Sequence, residues 1–192
     1  MQSQKKYEIL DGLPAYGPMY VPISKDSIKF YHEGFVVRLF RSDGTNWVAN
    51  FKTGGTSYSS VFELPKTDII VVIANGQGYT MTPDLQNPVN TFGHSITEVI
   101  STNDGRLIGA DITDLIVINS DATIWRSERI SWDGIKDLTL LDNIISGLAY
   151  DPMHESEEWV NFSFNLDTKK FIEGSYRRHH FEKVKKPFWK FW

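Results

Sequence analysis

Strand-length segments closed by tight-turn chemistry recur about every 8 to 15 residues through most of this chain, and no other feature restricts its fold so strongly. Phe35 to Phe40 runs into Ser42-Asp43-Gly44-Thr45 and then into Asn46 to Phe51, where Trp47, Ala49 and Phe51 alternate with Asn46, Val48 and Asn50. Period-two alternation marks a half-buried strand, and Asp-Gly between two such runs marks a hairpin. Asp68 to Ala74 is instead a continuous β-branched run, which predicts a strand buried on both faces; it stops at Asn75-Gly76-Gln77-Gly78 before Tyr79-Thr80-Met81.

The same grammar continues downstream. Ser95 to Ser101 and Arg106 to Ala110 flank Asn103-Asp104-Gly105, and Asp114 to Ile118 and Thr123 to Arg126 flank Asn119-Ser120-Asp121. Ile135 to Leu141 and Ile144 to Tyr150 meet at Asp142-Asn143, and Trp159 to Leu166 turns at Asp167 to Lys170 into Phe171 to Tyr176. No amphipathic helical pattern of ten or more residues interrupts them. Consecutive hairpins without crossover helices predict an all-β fold: an antiparallel meander forming a small β-propeller-like array or a rolled sheet or barrel, with no substantial helix. A four-stranded blade takes about 40 residues, so the body has room for roughly four or five.

The segment Arg129-Ile130-Ser131-Trp132-Asp133-Gly134-Ile135 leads on to Asp137-Leu138 and then to Ile145-Ser146-Gly147-Leu148-Ala149-Tyr150-Asp151-Pro152. Trp159-Val160-Asn161-Phe162, Asn165-Leu166-Asp167-Thr168 and Gly174-Ser175-Tyr176 follow, with Gly105-Arg106-Leu107 upstream. Over roughly residues 104–176 this pattern resembles a set of uncharacterised bacterial all-β proteins. The resemblance implies a β-propeller-like or meander fold and brings no activity, cofactor or catalytic residue. Independently of it, Trp132-Asp133-Gly134 reads as a structural turn, in which the aromatic anchors a strand end and the glycine takes positive φ. At least two of Trp132, Trp159, Phe162 and Phe164 are expected in the core.

Residues 1–176 are read as one domain and 177–192 as a tail of different composition. The chain carries −4 overall, yet Arg177 to Trp192 holds six Lys or Arg against Glu182, a local +5 that leaves −9 on the rest. An acidic body argues against the body being a nucleic-acid reader, because phosphate neutralisation supplies most non-specific affinity, and leaves a polyanion reading to the tail alone. The tail interleaves Lys183, Lys185, Lys186 and Lys190 with Phe181, Phe188, Trp189, Phe191 and Trp192. Five large aromatics in so short a segment need cover. Docking on its own body, on a second subunit or on a protein partner is the expectation, ahead of a membrane surface. Lys185, Lys186, Phe188, Trp189, Phe191 and Trp192 are the candidate partner-binding residues.

Catalytic chemistry is hard to assemble. With no cysteine, thiolate metal sites and Cys nucleophiles are excluded, and a reducing cytoplasm is the simplest home. Met1 to Leu10 lacks the apolar run of a signal peptide, and the longest apolar run, Ile69 to Ala74, is strand-sized. His32, His94 and His154 are scattered, and neighbouring His179 and His180 diverge on an extended chain. The loop Asp151 to Glu158, with His154, Glu155 and Glu157, is acidic but lacks calcium-loop spacing. Ser57, Ser59 and Ser60 sit in no nucleophile elbow, and Gly76-Gln77-Gly78 precedes no helix that would hold phosphate. Asp111 with Asp114, or Asp133 with Asp137, are carboxylate pairs that convergence in space would make candidates for hydrolysis. Exposed members of the set Trp47, Trp125, Trp132, Tyr150 and Trp159 would serve a binding surface. No cofactor is expected. The reading that results is a non-catalytic binding or protein-interaction domain, for instance an immunity-type inhibitor, with a carboxylate hydrolase or a carbohydrate-binding module as alternatives.

Overall fold

Where an apolar run does not alternate, both faces of a strand must be covered, and that requirement organises this molecule. The computed structural model describes residues 5–26, 28–65, 67–153 and 158–181. They form four four-stranded sheets. Sheet one holds β1 (Tyr7–Ile9), β2 (Val21–Ile23), β3 (Phe35–Phe40) and β4 (Asn46–Phe51) in the order β1-β3-β4-β2, with β2 parallel to β4. Sheet two is β5 (Ser60–Glu63), β6 (Ile70–Ala74), β7 (Gln77–Met81) and β8 (Asn90–Phe92). Sheet three is β9 (Glu98–Ser101), β10 (Leu107–Ala110), β11 (Leu115–Ile118) and β12 (Ile124–Arg126). Sheet four is β13 (Ile135–Leu141), β14 (Ile144–Asp151), β15 (Glu158–Asn165) and β16 (Lys170–Glu173), followed by the short helix α1 (Ser175–Phe181). Sheets two to four are simple antiparallel meanders, as the all-β reading expects.

Three apolar seams join the sheets in a row. Ile23, Val37, Leu39 and Phe51 of sheet one pack with Ile70, Val72, Ala74, Tyr79 and Met81 of sheet two. Val71 and Ile73, on the opposite face of β6, pack with Leu107, Ile116 and Ile118 of sheet three. Leu115 and Val117, on the other face of β11, join Ile135, Ile145, Phe162, Phe164 and Phe171 of sheet four. Every residue of β6 and β11 is therefore buried, which accounts for the unbroken apolar runs of both.

The turns repeat one architecture more faithfully than the sequence does. In 41–45, 102–106 and 119–123 the first residue's N–H donates to the carbonyl of the fifth (2.8, 2.9 and 2.9 Å), and the fourth residue's N–H donates back to the first (3.1, 3.1 and 2.9 Å). The Asp at the third position accepts from the fifth residue in each: Thr45 on Asp43, Arg106 on Asp104, Thr123 on Asp121. The fourth residue has φ of 86° at Gly44, 88° at Gly105 and 65° at Ala122. Ala122 hides the third copy from a search for Asp-Gly.

Three expectations are corrected. The turn after β6 is the two-residue pair Asn75-Gly76, both at positive φ, so Gln77 and Gly78 belong to β7 rather than to a loop. Ser175 and Tyr176 do not extend the last strand but open α1. His179 and His180 accordingly lie on a helix and not on an extended chain. The expectation about aromatics holds: Phe162 and Phe164 are buried, Trp132 is half-buried, and Trp159 is exposed. Gly134 has φ of 139°, and a Cβ there would meet the Trp159 ring at 3.1 Å. The candidate tail residues Lys185, Lys186, Phe188, Trp189, Phe191 and Trp192 lie outside the described residues, as do residues 154–157 of the acidic loop. Among the described residues no helix is long and apolar enough to cross a membrane.

Candidate functional site

The row of sheets has two ends, and its own chain treats them differently. At the sheet-one end, segment 30–34 lies over the outer face. Val36 and Asn50 are buried there, with the Asn50 amide accepting from Gly34 N–H (2.8 Å) and donating to the His32 carbonyl (3.1 Å). At the sheet-four end the alternating strands bury one face against sheet three and leave the other open. The register fixes which side chains share that outer face. Leu141 opposes Ile144, Thr139 opposes Ser146, Ser146 opposes Ser163, and Ser163 opposes Ile172. Further along, Leu148 opposes Asn161 and Tyr150 opposes Trp159. Leu141 is 77% exposed, Ile172 67%, Ile144 45% and Trp159 39%.

The face is apolar at its ends and small and polar at its centre. Ser146, Ser163 and Thr139, flanked by Leu148, Asn161 and Ile172, line a recess of about 410 Å³. β16 stops opposite Phe162, so Val160 and Asn161 front a second cleft of about 400 Å³, closed on its far side by Glu173, Gly174, Arg177 and Arg178. Both recesses share Asn161 and Glu173, so one groove runs from α1 onto the middle of the sheet.

Packing at the groove mouth holds α1 in place. The Ser175 hydroxyl donates to the Tyr150 carbonyl (2.6 Å), and Trp132 N–H donates to Ser175 Oγ (3.3 Å). The Trp132 and Tyr176 rings meet edge-on at 4.9 Å, with the Arg129 guanidinium 5.2 and 4.7 Å from their centres. Arg177 donates to the Phe171 carbonyl (2.7 Å), and Arg178 pairs with Glu158. Trp159 packs on Tyr150 with centroids 5.3 Å apart, and Lys136 Nζ lies 4.1 Å from the Trp159 ring centre. This pair is the one exposed aromatic surface that the sequence candidates contribute here. Trp47 is buried and donates to the Pro83 carbonyl (2.8 Å), and Trp125 stacks on Phe164 at 5.5 Å.

The carboxylate candidates part company. Asp111 and Asp114 do converge, but on Arg126: its guanidinium reaches both Asp114 oxygens (2.9 and 2.8 Å) and Asp111 Oδ2 (2.9 Å). The other Asp111 oxygen accepts from Ser95 and Ile112 N–H (3.2 and 3.1 Å). Burial raises the Asp114 carboxyl above its ordinary value, against the pull of Arg126. Four hydrogen-bonding oxygens thus hold loops together rather than facing a cleft. Asp133 and Asp137 are both exposed, Asp137 within the register shift of β13 at φ 57°, and no hydrogen bond or ion pair joins them.

The histidine and serine candidates are dispersed too. The His32 ring lies 5.0 Å from Phe30, while His94 lines a separate small cleft with Lys25, Lys52 and Tyr79. Ser59 exchanges hydrogen bonds with Asn75, accepting from its N–H (2.9 Å) and donating to its Oδ1 (2.7 Å). Asp151 is buried and accepts from Met153 N–H (3.0 Å). Among the described residues no three His, Asp or Glu side chains gather as a metal-ligand set.

The outer face of sheet four escaped sequence reasoning for a definable reason. Alternation in Trp159 to Leu166 announces two faces, but nothing local tells whether a further sheet covers the second. No family model, curated protein or solved structure matches the chain.

Proposed function

We propose that this chain is a non-catalytic protein-interaction domain that receives its partner on the outer face of sheet four. One observation carries the reading: in a row of sheets whose seams are otherwise filled, this face keeps Leu141, Ile144, Trp159 and Ile172 in solvent. Exposed apolar patches of this kind mark interaction sites. Strands of seven, eight, eight and four residues, at about 3.3 Å rise and about 4.8 Å spacing, give roughly 430 Å² of planar area. A standard interface needs about 800 Å² per partner. The face therefore supplies more than half, and α1 with Lys185, Lys186, Phe188, Trp189, Phe191 and Trp192 is assigned the remainder. An immunity-type inhibitor, presenting an acidic body to a basic partner, fits this plan. The hydrolase alternative is disfavoured by the engagement of Asp111 and Asp114 with Arg126.

The row of four-stranded sheets, three of them meanders, favours a propeller-like arrangement over a closed barrel, in keeping with the resemblance to uncharacterised bacterial all-β proteins. A cytoplasmic home belongs to the same proposal, and the cysteine-free composition is compatible with it. The test is quantitative capture from the native cell with the wild-type chain and with Leu141→Lys/Ile144→Lys, both at wild-type folding. A protein held by the first and lost by the second is expected. Equal capture by both would overturn the assignment of this face.

A further inference from the structure

The groove on sheet four begins where α1 delivers the chain's remaining residues. Arg177 and Arg178 of α1 line its mouth, and from there it passes Asn161 and Glu173 to the recess over Ser146 and Ser163. Six residue steps lead from Phe181, the last residue of α1, to Pro187, a reach of roughly 20 Å at full extension. The sheet is only about 14 Å across, from three strand spacings of about 4.8 Å. The β16 edge of the face, which leads directly into α1, is within range.

Chemistry agrees on both sides. The recess has small walls at Ser146, Ser163 and Thr139 and apolar flanks at Leu148 and Ile172, a shape that accepts a ring. The chain that follows α1 supplies Phe188, Trp189, Phe191 and Trp192. On the rim, Asp137 and Glu173 are exposed carboxylates that form no ion pair among the described residues, and Lys183, Lys185 and Lys186 precede the aromatics. Tethering also raises the local concentration of such a segment into the millimolar range, above that of a free competitor.

We propose that Pro187 to Trp192 occupies this groove in the same molecule. This goes beyond the partner reading and does not rest on it. A partner that takes the whole face would have to displace the segment.

The cysteine-free chain makes the test clean, because two introduced thiols are the only ones present. Ser163→Cys/Lys190→Cys is treated with a short bis-maleimide beside a control, Asp43→Cys/Lys190→Cys, whose first site is an exposed turn of sheet one. Intact mass and a denaturing gel then count links within one chain. At least a tenfold excess of intramolecular product in the first pair is expected, and it should fall when Trp189→Ser and Trp192→Ser are added. Equal yields in the two pairs, or links formed only between two chains, would overturn the proposal. As a second measurement, a spin label on Lys190→Cys alone should broaden the methyl signals of Leu148 and Ile172 and spare those of Ile23 and Val37. Uniform or absent broadening would contradict the proposal. Because both measurements use the purified chain alone, they fail separately from partner capture.

Discussion

Ile144 and Ile145 are neighbours of the same residue type on one strand, and the fold sends them to opposite faces of sheet four. Ile145 is fully buried in the seam with sheet three, opposite Phe164 and Leu140, whereas Ile144 is 45% exposed on the outer face. Truncating a buried Ile to Ala costs about 2–5 kcal/mol through lost transfer energy and the cavity left behind. Full burial of such a side chain contributes about 1.5–3 kcal/mol, so one little more than half covered stands to lose about 1 kcal/mol. For a domain of this size each kcal/mol moves the midpoint by about 2–4 °C. Ile145→Ala should therefore lower the Tm by about 5–15 °C and Ile144→Ala by no more than about 4 °C. Urea titrations with unchanged slopes would establish that both variants still unfold in one step. Equal losses would refute the one-sided burial of sheet four, and a larger loss at Ile144 would invert the register.

Two further predictions concern the joints. Gly134→Ala forces a side chain into φ 139° against the Trp159 ring and should cost about 1–3 kcal/mol by urea midpoint; an unchanged midpoint would remove the strain. Arg126→Met leaves Asp111 and Asp114 facing each other without their cation and should cost about 1–3 kcal/mol at pH 7. Asp114 already has a raised pKa, so its folded form takes up a proton more readily than the unfolded chain, and stability falls as pH rises through that folded value. Losing Arg126 should push the carboxyl further up. The variant should thus recover part of its deficit as pH drops from 7 toward 4, and a deficit constant over that range would show that the carboxylates are not its source.

Local chemistry in the sequence was enough to locate most hairpins. Asp43-Gly44, Asn75-Gly76 and Asp104-Gly105 announce positive-φ turns, and the β-branched run into Ala74 announces a strand covered twice. Less legible were β1 and β2, only three residues each, which owe their existence to pairing with β3 and β4 rather than to any periodicity of their own. The parallel pairing of β2 is a tertiary event of that kind. At Ala122 the backbone keeps a turn whose glycine the sequence has lost. Of the site, the alternation of Asn161 and Ser163 with Phe162 and Phe164 revealed a two-sided strand. That the Ser163 side would remain open, and that Trp159 would face outward while Trp47 is buried, depended on which sheets stack. No local pattern encodes stacking order.

The claim that sheet four presents the docking surface is tested most directly by titrating the captured partner against single charge insertions at the two ends of the row. Ile144→Lys places a charge in the outer face of sheet four, and Tyr31→Lys, at a residue 84% exposed beside sheet one, is its counterpart at the far end. Calorimetry should give at least a tenfold weaker Kd for Ile144→Lys and an unchanged Kd for Tyr31→Lys. An unchanged Kd for Ile144→Lys, with the loss appearing at Tyr31 instead, would move the docking surface to the opposite end of the molecule and contradict the account.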